Sequence, residues 1–311
     1  MSPGDIIEQL LHSGVGIATP LLLAALGELI AEKAGLINIG LEGKVLAGAF
    51  AAFAVVVTTG SMALGVVAGM GAGVVLAVLF GFFCINLRSD QIVTGAALNF
   101  LALGVTGLLY RTLLQGSGAA TTISPFPNVE IPGLAKVPLI GPVLFNQNCL
   151  TYAAFGIAML VAGLYWYTRL GFHVSAVGEH PRAADAAGIP VNRVRWAAIL
   201  IEGVLGGIAG ASLTLAFSNT FNEGMSQGRG FIALAIVLFG RWNPLGVVGA
   251  ALFFGCATAL QLLLQASNID WLTNNYPYLQ MLPYLLTLIV LAVASGSTRA
   301  PSGLGQHYHR E

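Results

Sequence analysis

Long apolar runs separated by short polar knots organise this chain. Val45–Leu87 passes 43 residues without Asp, Glu, Lys or Arg, and Trp242–Ile269 and Trp271–Thr298 pass 28 each. About 20 apolar residues carry a helix across the hydrocarbon core of a bilayer, so these runs hold several crossings. The pattern predicts spanning helices near 14–31, 44–60, 62–87, 92–110, 149–168, 195–217, 220–240, 244–265 and 279–296. The expected fold is all-α: a polytopic helical membrane protein of about nine crossings, between about eight and ten, in a single transmembrane domain over 1–311. One stretch fits poorly. Only eleven uncharged residues, Gly230 to Gly240, separate Arg229 from Arg241, and at ~1.5 Å per residue they cover about half of a ~30 Å core. Either the helix starts earlier and draws Asn222 and Glu223 into the membrane, or this is a re-entrant half-helix.

Composition agrees with the pattern. Of 311 residues 56% are hydrophobic and 8% charged, against about 25% charged in a soluble domain, which excludes an ordinary cytosolic enzyme and a disordered chain. Thirteen basic residues balance thirteen acidic ones, so no basic excess marks a nucleic-acid binder. Lys and Arg flanking the spans set orientation. The segment 169–195 holds Arg169, Arg182, Arg193 and Arg195, whereas 111–148 holds only Arg111 and Lys136. The first is expected to be a cytoplasmic loop and the second external. Alternation then adds Lys33, Lys44, Arg88, Arg241, Arg299 and Arg310 to the inner side, with an outer N-terminus and a cytoplasmic tail over 297–311. This bias favours a true crossing at 220–240. The first residues, MSPGDIIEQLLHS, lack the basic start of a cleavable signal. Cys84, Cys149 and Cys256 fit no metal spacing and read as small apolar packing residues. Gly65, Gly69 and Gly73, like Gly206 and Gly210, recur at four-residue spacing, a pattern that lets helix backbones approach closely in lipid.

Polar residues away from loops carry the remaining information. In 27–44, GELIAEKAGLINIGLEGK, an apolar helix runs into Glu28, Glu32 and Lys33, breaks at Gly35, passes Asn38 and Gly40, and restarts through Glu42, Gly43 and Lys44. This is either a turn between spans or a broken helix beside a translocation path, where irregular backbone at membrane depth is tolerated. In 178–195, Pro181 suits a first helical position and Gly188 the residue past a helix end. The resulting two-turn helix, 181–187, places Ala183, Ala184 and Ala187 on one face and Arg182 and Asp185 on the other. It packs on its own protein or docks on a soluble partner. Glu202 lies seven residues into its span; a charge at mid-span is costly, so it faces protein or water unless it is interfacial. The stretch 219–229, NTFNEGMSQGR, offers Asn222, Glu223, Gln227 and Arg229 as a solvated loop or a pathway mouth. No phosphate loop, metal-ligand cluster or nucleophile–base pair occurs.

These motifs resemble, in order, those of ABC importer permeases of the branched-chain amino acid/ribose/nucleoside group. The stretches are GELIAEKAGLINIGLEGKVLAGAFAAF, SDQIVTGAALNFLALGVTGLLYR, RAADAAGIPVNRVRWAAILIEGVLGGIAGA, GRGFIALAIVLFGRWNPLGVVGAALFFG and the tail RAPSGLGQHYHRE. The last two are similar to the shorter permease subunit of the simple-sugar/nucleoside branch. The resemblance implies a bacterial cytoplasmic-membrane transport subunit without catalysis of its own. Its partners would be a second permease in a heterodimer, a cytoplasmic ABC ATPase that binds ATP and Mg, and an extracytoplasmic solute-binding lipoprotein. No cofactor is expected in this chain. Arg182, Ala183, Ala184, Asp185, Ala187, Gly188 and Ile189 would form the ATPase-coupling element. Asn38, Gly40, Glu42, Gly43 and Asn99 match signature positions beside the pathway, with Glu202, Asn222 and Glu223 as further candidates. Glu202 stands where relatives would carry a small residue. The proline-rich segment 111–148 is expected to help receive the binding protein. Competing readings are a secondary transporter, which would need intramembrane carboxylates or histidine relays, an integral membrane enzyme, and an ABC permease for a flavin or branched-chain amino acid.

Overall fold

The computed structural model describes residues 3–114, 122–137, 140–266 and 300–309, with a few positions between 278 and 292. The crossing expected at 279–296 lies, but for those positions, outside the described residues. Among the described residues seven helices are long and apolar enough to span a bilayer. They belong to α1 (Pro3–Lys33), α2 (Leu41–Thr59), α3 (Met62–Gly81), α4 (Gln91–Leu109), α6 (Cys149–Tyr167), α9 (Val191–Ser212) and α11 (Pro244–Ala266). Single π-helical turns extend α3, α4 and α9 to Asn86, Leu114 and Ser218. Shorter helices are α5 (Ile140–Phe145), α7 (Arg169–Glu179), α8 (Pro181–Ala186) and α10 (Arg229–Phe239).

Helices α1 and α9 form the buried centre, while α3, α4, α6 and α11 keep most of their surface exposed. Small residues bring the central backbones together. A Cβ on Gly73 would overlap the Gly203 carbonyl, one on Gly207 the Gly69 carbonyl, and one on Gly210 the Val45 carbonyl. The four-residue glycine rows thus pack α2, α3 and α9 within this one chain. Gly14 of α1 meets Cys256 of α11 in the same way. Dispersion contacts and close backbone approach, rather than water exclusion, hold helices together where the solvent is lipid.

The ends of the bundle differ. At one, β1 (Asn128–Glu130) pairs antiparallel with β2 (Asn146–Asn148) in the register Val129↔Gln147. His12 of α1 donates to the Asn146 carbonyl at 2.9 Å. The segment expected as a plain loop therefore carries a small hairpin and α5. At the other end lie α7, α8 and residues 300–309, whose Gly303 N–H donates to the Gly178 carbonyl.

Two spans are interrupted. Helix α1 stops at Gly35, which takes the left-handed conformation (φ 85°) that glycine adopts without strain. The chain then turns back into the bundle, and α2 begins only where Leu41 meets Gly206, fifteen residues into α9 and ~22 Å along it. The second interruption corrects the helix expected over 220–240: only Arg229–Phe239 is helical. The chain leaves α9 at Asn219, descends without regular structure beside α4, and starts α10 next to Glu42. It finishes beside α1, where Trp242 Nε1 donates to Glu32 Oε2 at 2.5 Å. The bundle is traversed half as unwound chain and half as an 11-residue helix of ~16 Å, so both sequence alternatives, a full helix and a re-entrant one, give way to a third form. The units α1–α2 and α9–α10 repeat one pattern with opposite direction, the arrangement of inverted repeats around a site at depth.

Candidate translocation site and coupling surface

The first unwound stretch is held by side chains. Ile37 N–H donates to Gln91 Oε1 at 2.8 Å, and Asn38 N–H to Glu28 Oε1 at 3.1 Å. Asn38 then works in two directions: Nδ2 donates to Glu202 Oε1 at 3.0 Å, and Oδ1 accepts from Gly40 N–H at 2.9 Å, closing a turn just before α2. Asn99 bridges the same joint, accepting from Gly43 N–H at 2.7 Å and donating to the Ile39 carbonyl at 2.9 Å. Backbone groups freed from a helix at membrane depth need such partners because lipid supplies none. Lys44 pairs with Glu202. Glu28, Asn38, Lys44 and Glu202 each have no exposed surface, which removes the interfacial reading of Glu202 and corrects that of Lys44. Lys44 stands inside the bundle, so it leaves the tally of flanking charges without changing its sign. Gly40 and Gly43 are also buried, packed on Gly95 and on Leu98 and Asn99. Asn38, Gly40, Gly43 and Glu202 therefore secure a joint and face no open space in this conformation.

The second unwound stretch is open on one side only: Phe221, Met225 and Ser226 turn inward while Asn222, Glu223 and Gln227 are exposed. Glu42 reaches across to it, accepting from Gly228 N–H at 2.8 Å and Gly230 N–H at 2.7 Å. A carboxylate at a helix N-terminus satisfies free donors and meets the positive end of the helix dipole. Gly230 is required there, since a Cβ would crowd the Glu42 backbone. Above this contact the chain follows the α4 row Asn99, Leu103, Gly107 and Arg111: Gly224 lies on Leu103 and Glu223 on Gly107. Arg111 donates twice to Glu223, 2.6 Å each. Asn222, Glu223 and Gln227 are exposed and Glu42 and Asn99 half-buried; Phe100 and Phe231, the chain neighbours of Asn99 and Gly230, are exposed. Polar and charged groups at this depth are costly against lipid, so this strip faces water or another subunit. Arg111 was legible in the sequence only as a flanking charge; its ion pair with Glu223 joins residues 112 apart.

At the other end, Pro181 starts α8 and Gly188 (φ 85°) ends it. Arg182, Ala183, Ala187 and Gly188 are exposed and Asp185 is half-buried. Ala184 and Ile189 point inward against Val177, Val191 and Tyr308, so the alanine face expected to be continuous is split. Arg195, another residue read only as a flanking charge, is buried. Its Nε donates to the Ala34 carbonyl at 3.3 Å and Nη1 to the Gln306 carbonyl at 3.0 Å, tying the α1 break to the C-terminal segment. Among the described residues no group of three or more His, Cys, Asp and Glu is placed to hold a metal.

A family model described as branched-chain amino acid transport system / permease component matches residues 10–291. The chain is 38% identical to TsgC13 of Haloferax volcanii, provisionally named a glucose ABC transporter permease, over 97% of this chain and 98% of the relative. It is 36% identical to the guanosine ABC transporter permease NupQ of Bacillus subtilis, over 98% and 97%. It is 37% identical to the nucleoside ABC transporter permease NupC of Lactococcus lactis, over 94% and 93%. Each organism also holds a more distant relative, TsgB13, NupP or NupB, at 31%, 26% and 26% identity, covering 76%, 89% and 76% of this chain and 65%, 78% and 67% of the relative. No solved structure matches the chain significantly.

Proposed function

The chain belongs to the branched-chain amino acid transport system / permease component family, a multi-pass membrane permease of ABC-transporter type, and from that premise we propose its place in a complete importer. It is the shorter of two unlike permeases, forming half of a path for nucleosides or related simple sugars. The paired naming of relatives within three organisms supports the heterodimer. Energy comes from a separate ATPase carrying ATP and Mg, and the solute arrives from an extracytoplasmic binding lipoprotein that docks near 111–148. The α8 end is cytoplasmic and the N-terminus outside, as the flanking Lys and Arg favour; cysteines introduced at 241 and 305 label from the cytoplasmic side only.

The observation that carries this reading is the polar strip that starts at Glu42 and Asn99, ~12 Å along α4, and continues through Gln227 to Asn222 and Glu223 near the end of α4. It has carboxylates and amides for hydroxyl groups and the rings of Phe100 and Phe231 for an apolar face. Nucleosides and sugars share that combination of hydroxyls with a hydrophobic side. The strip carboxylates Glu42 and Glu223 would also serve a secondary transporter, so the family match and the energy source of uptake separate the two readings. Uptake of labelled guanosine and of glucose into cells with and without this chain tests the proposal. Uptake of one or both that is abolished by disabling the ATPase and unaffected by a protonophore is expected. Uptake that follows the proton gradient, or is independent of the chain, overturns it.

A further inference from the structure

Helix α8 is too small to hold a soluble subunit alone. It has six residues, and Ala184 and the following Ile189 are already buried under Tyr308. A stable protein interface takes about 800 Å² from each partner, roughly 20–30 residues, so a partner docked on α8 must cover its surroundings. Those surroundings are built by the C-terminal segment. Ser302 donates to Glu179 Oε2 through its N–H at 3.1 Å and its hydroxyl at 2.9 Å. Gly305 N–H donates to the Gly35 carbonyl at 3.1 Å, Arg195 holds the Gln306 carbonyl, and Tyr308 is buried beneath α8. His309 then reaches Arg88 in the α3–α4 turn at 3.4 Å. Between α8 and this segment opens a cavity of about 690 Å³ with His180, Arg182, Ala183, His307 and His309 in its wall.

We propose that the ATPase-binding surface is composite: α8 and the docked segment 300–309 together receive the ATPase, which covers the cavity between them. This rests on the ATPase reading of α8 given above. Exposure supports the occupant, because Arg182 and Ala183 of α8 and His307 and His309 of the segment all stand exposed around one cavity. Continuity supports it too, since Arg182 and Ala183 belong to both α8 and the cavity. The segment also touches the α1 break through Gly35, so a push on this surface reaches the joint of the first unwound stretch directly.

The test uses the whole transporter assembled with its ATPase in membranes, with a photo-crosslinking residue placed singly at 186, 307 or, as a control on the hairpin face, 128. Adducts with the ATPase from both 186 and 307, and none from 128, are expected, and the 307 adduct should be lost in the R182E/H309E background while the chain remains in the membrane. An adduct from 186 without one from 307 overturns the composite surface and leaves α8 docking intact. No adduct from either position overturns both readings, and an adduct from 128 overturns the assigned face.

Discussion

The two unwound stretches, 34–40 and 219–228, interrupt equivalent spans of opposite direction yet are built on different principles. The first is enclosed: the Ile37 and Asn38 N–H groups and the Ala34 and Ile39 carbonyls find side chains from α1, α4 or α9, and at its centre Lys44 pairs with Glu202 out of reach of solvent. The second is anchored inward by Phe221, packed on Phe50, Phe53 and Tyr110, and by Glu42 beneath, while Asn222, Glu223 and Gln227 stay exposed and an exposed ion pair lies above. One break is a closed joint; the other, on the proposed function, is a lining. A membrane protein can thus use irregular backbone for rigidity as readily as for a path, and burial of the side chains tells which.

This contrast breaks most sharply at the buried pair. Glu202→Ala takes from buried Lys44 the carboxylate it is bonded to and leaves only Glu28 of the cluster nearby, a loss of up to about 3–5 kcal/mol for a broken buried pair. The membrane yield of intact protein should collapse, as read by detergent-resistant folded fraction, and the K44M/E202M double variant should recover much of it. An unaffected single variant would mean the pair does not hold the joint. Next in size, Gly230→Val forces a side chain into the Glu42 backbone and should abolish uptake while the rest of the bundle assembles. Glu42→Gln keeps one of the two acceptors, turns an NH2 toward the other backbone N–H and loses the charge at the α10 N-terminus, together about 1–3 kcal/mol, so uptake should fall about tenfold or more with normal yield. Arg111→Ala acts on the exposed strip. It should leave yield unchanged and weaken solute dependence modestly, seen as a raised KM. The smallest effect is expected at Glu28→Gln, which keeps the acceptor for Asn38 N–H and lowers the negative charge of a cluster with two carboxylates and one ammonium; uptake should change little.

Much of this was legible in the sequence. Charge-free runs locate the spans, Gly35 and Asn38 mark the first break, and the eleven-residue run between Arg229 and Arg241 is too short for a full helix. The paired patterns Glu42-Gly43-Lys44 and Gln227-Gly228-Arg229, each at the start of a helix that begins at depth, were a further signal that only the fold makes visible. What could not be read is long-range. Lys44 and Glu202 are 158 residues apart, and a lysine beside a span looks like any flanking charge until its partner is placed. Ala184 faces inward because Tyr308, supplied more than a hundred residues later, covers it; periodicity alone makes it equivalent to Ala183. Helix α10 follows an unwound entry because Glu42 of a distant helix caps its N-terminus.

The central claim is that 34–40 is a closed joint and 219–228 a solute-facing lining. Its most direct measurement is solvent access in the assembled transporter, freed of Cys84, Cys149 and Cys256, with a single cysteine at 36 or at 227. A water-soluble maleimide should label Q227C quickly, with protection by the transported solute, and leave L36C unlabelled with and without ATP. Rapid, solute-protected labelling of L36C, with Q227C inert, would contradict the account.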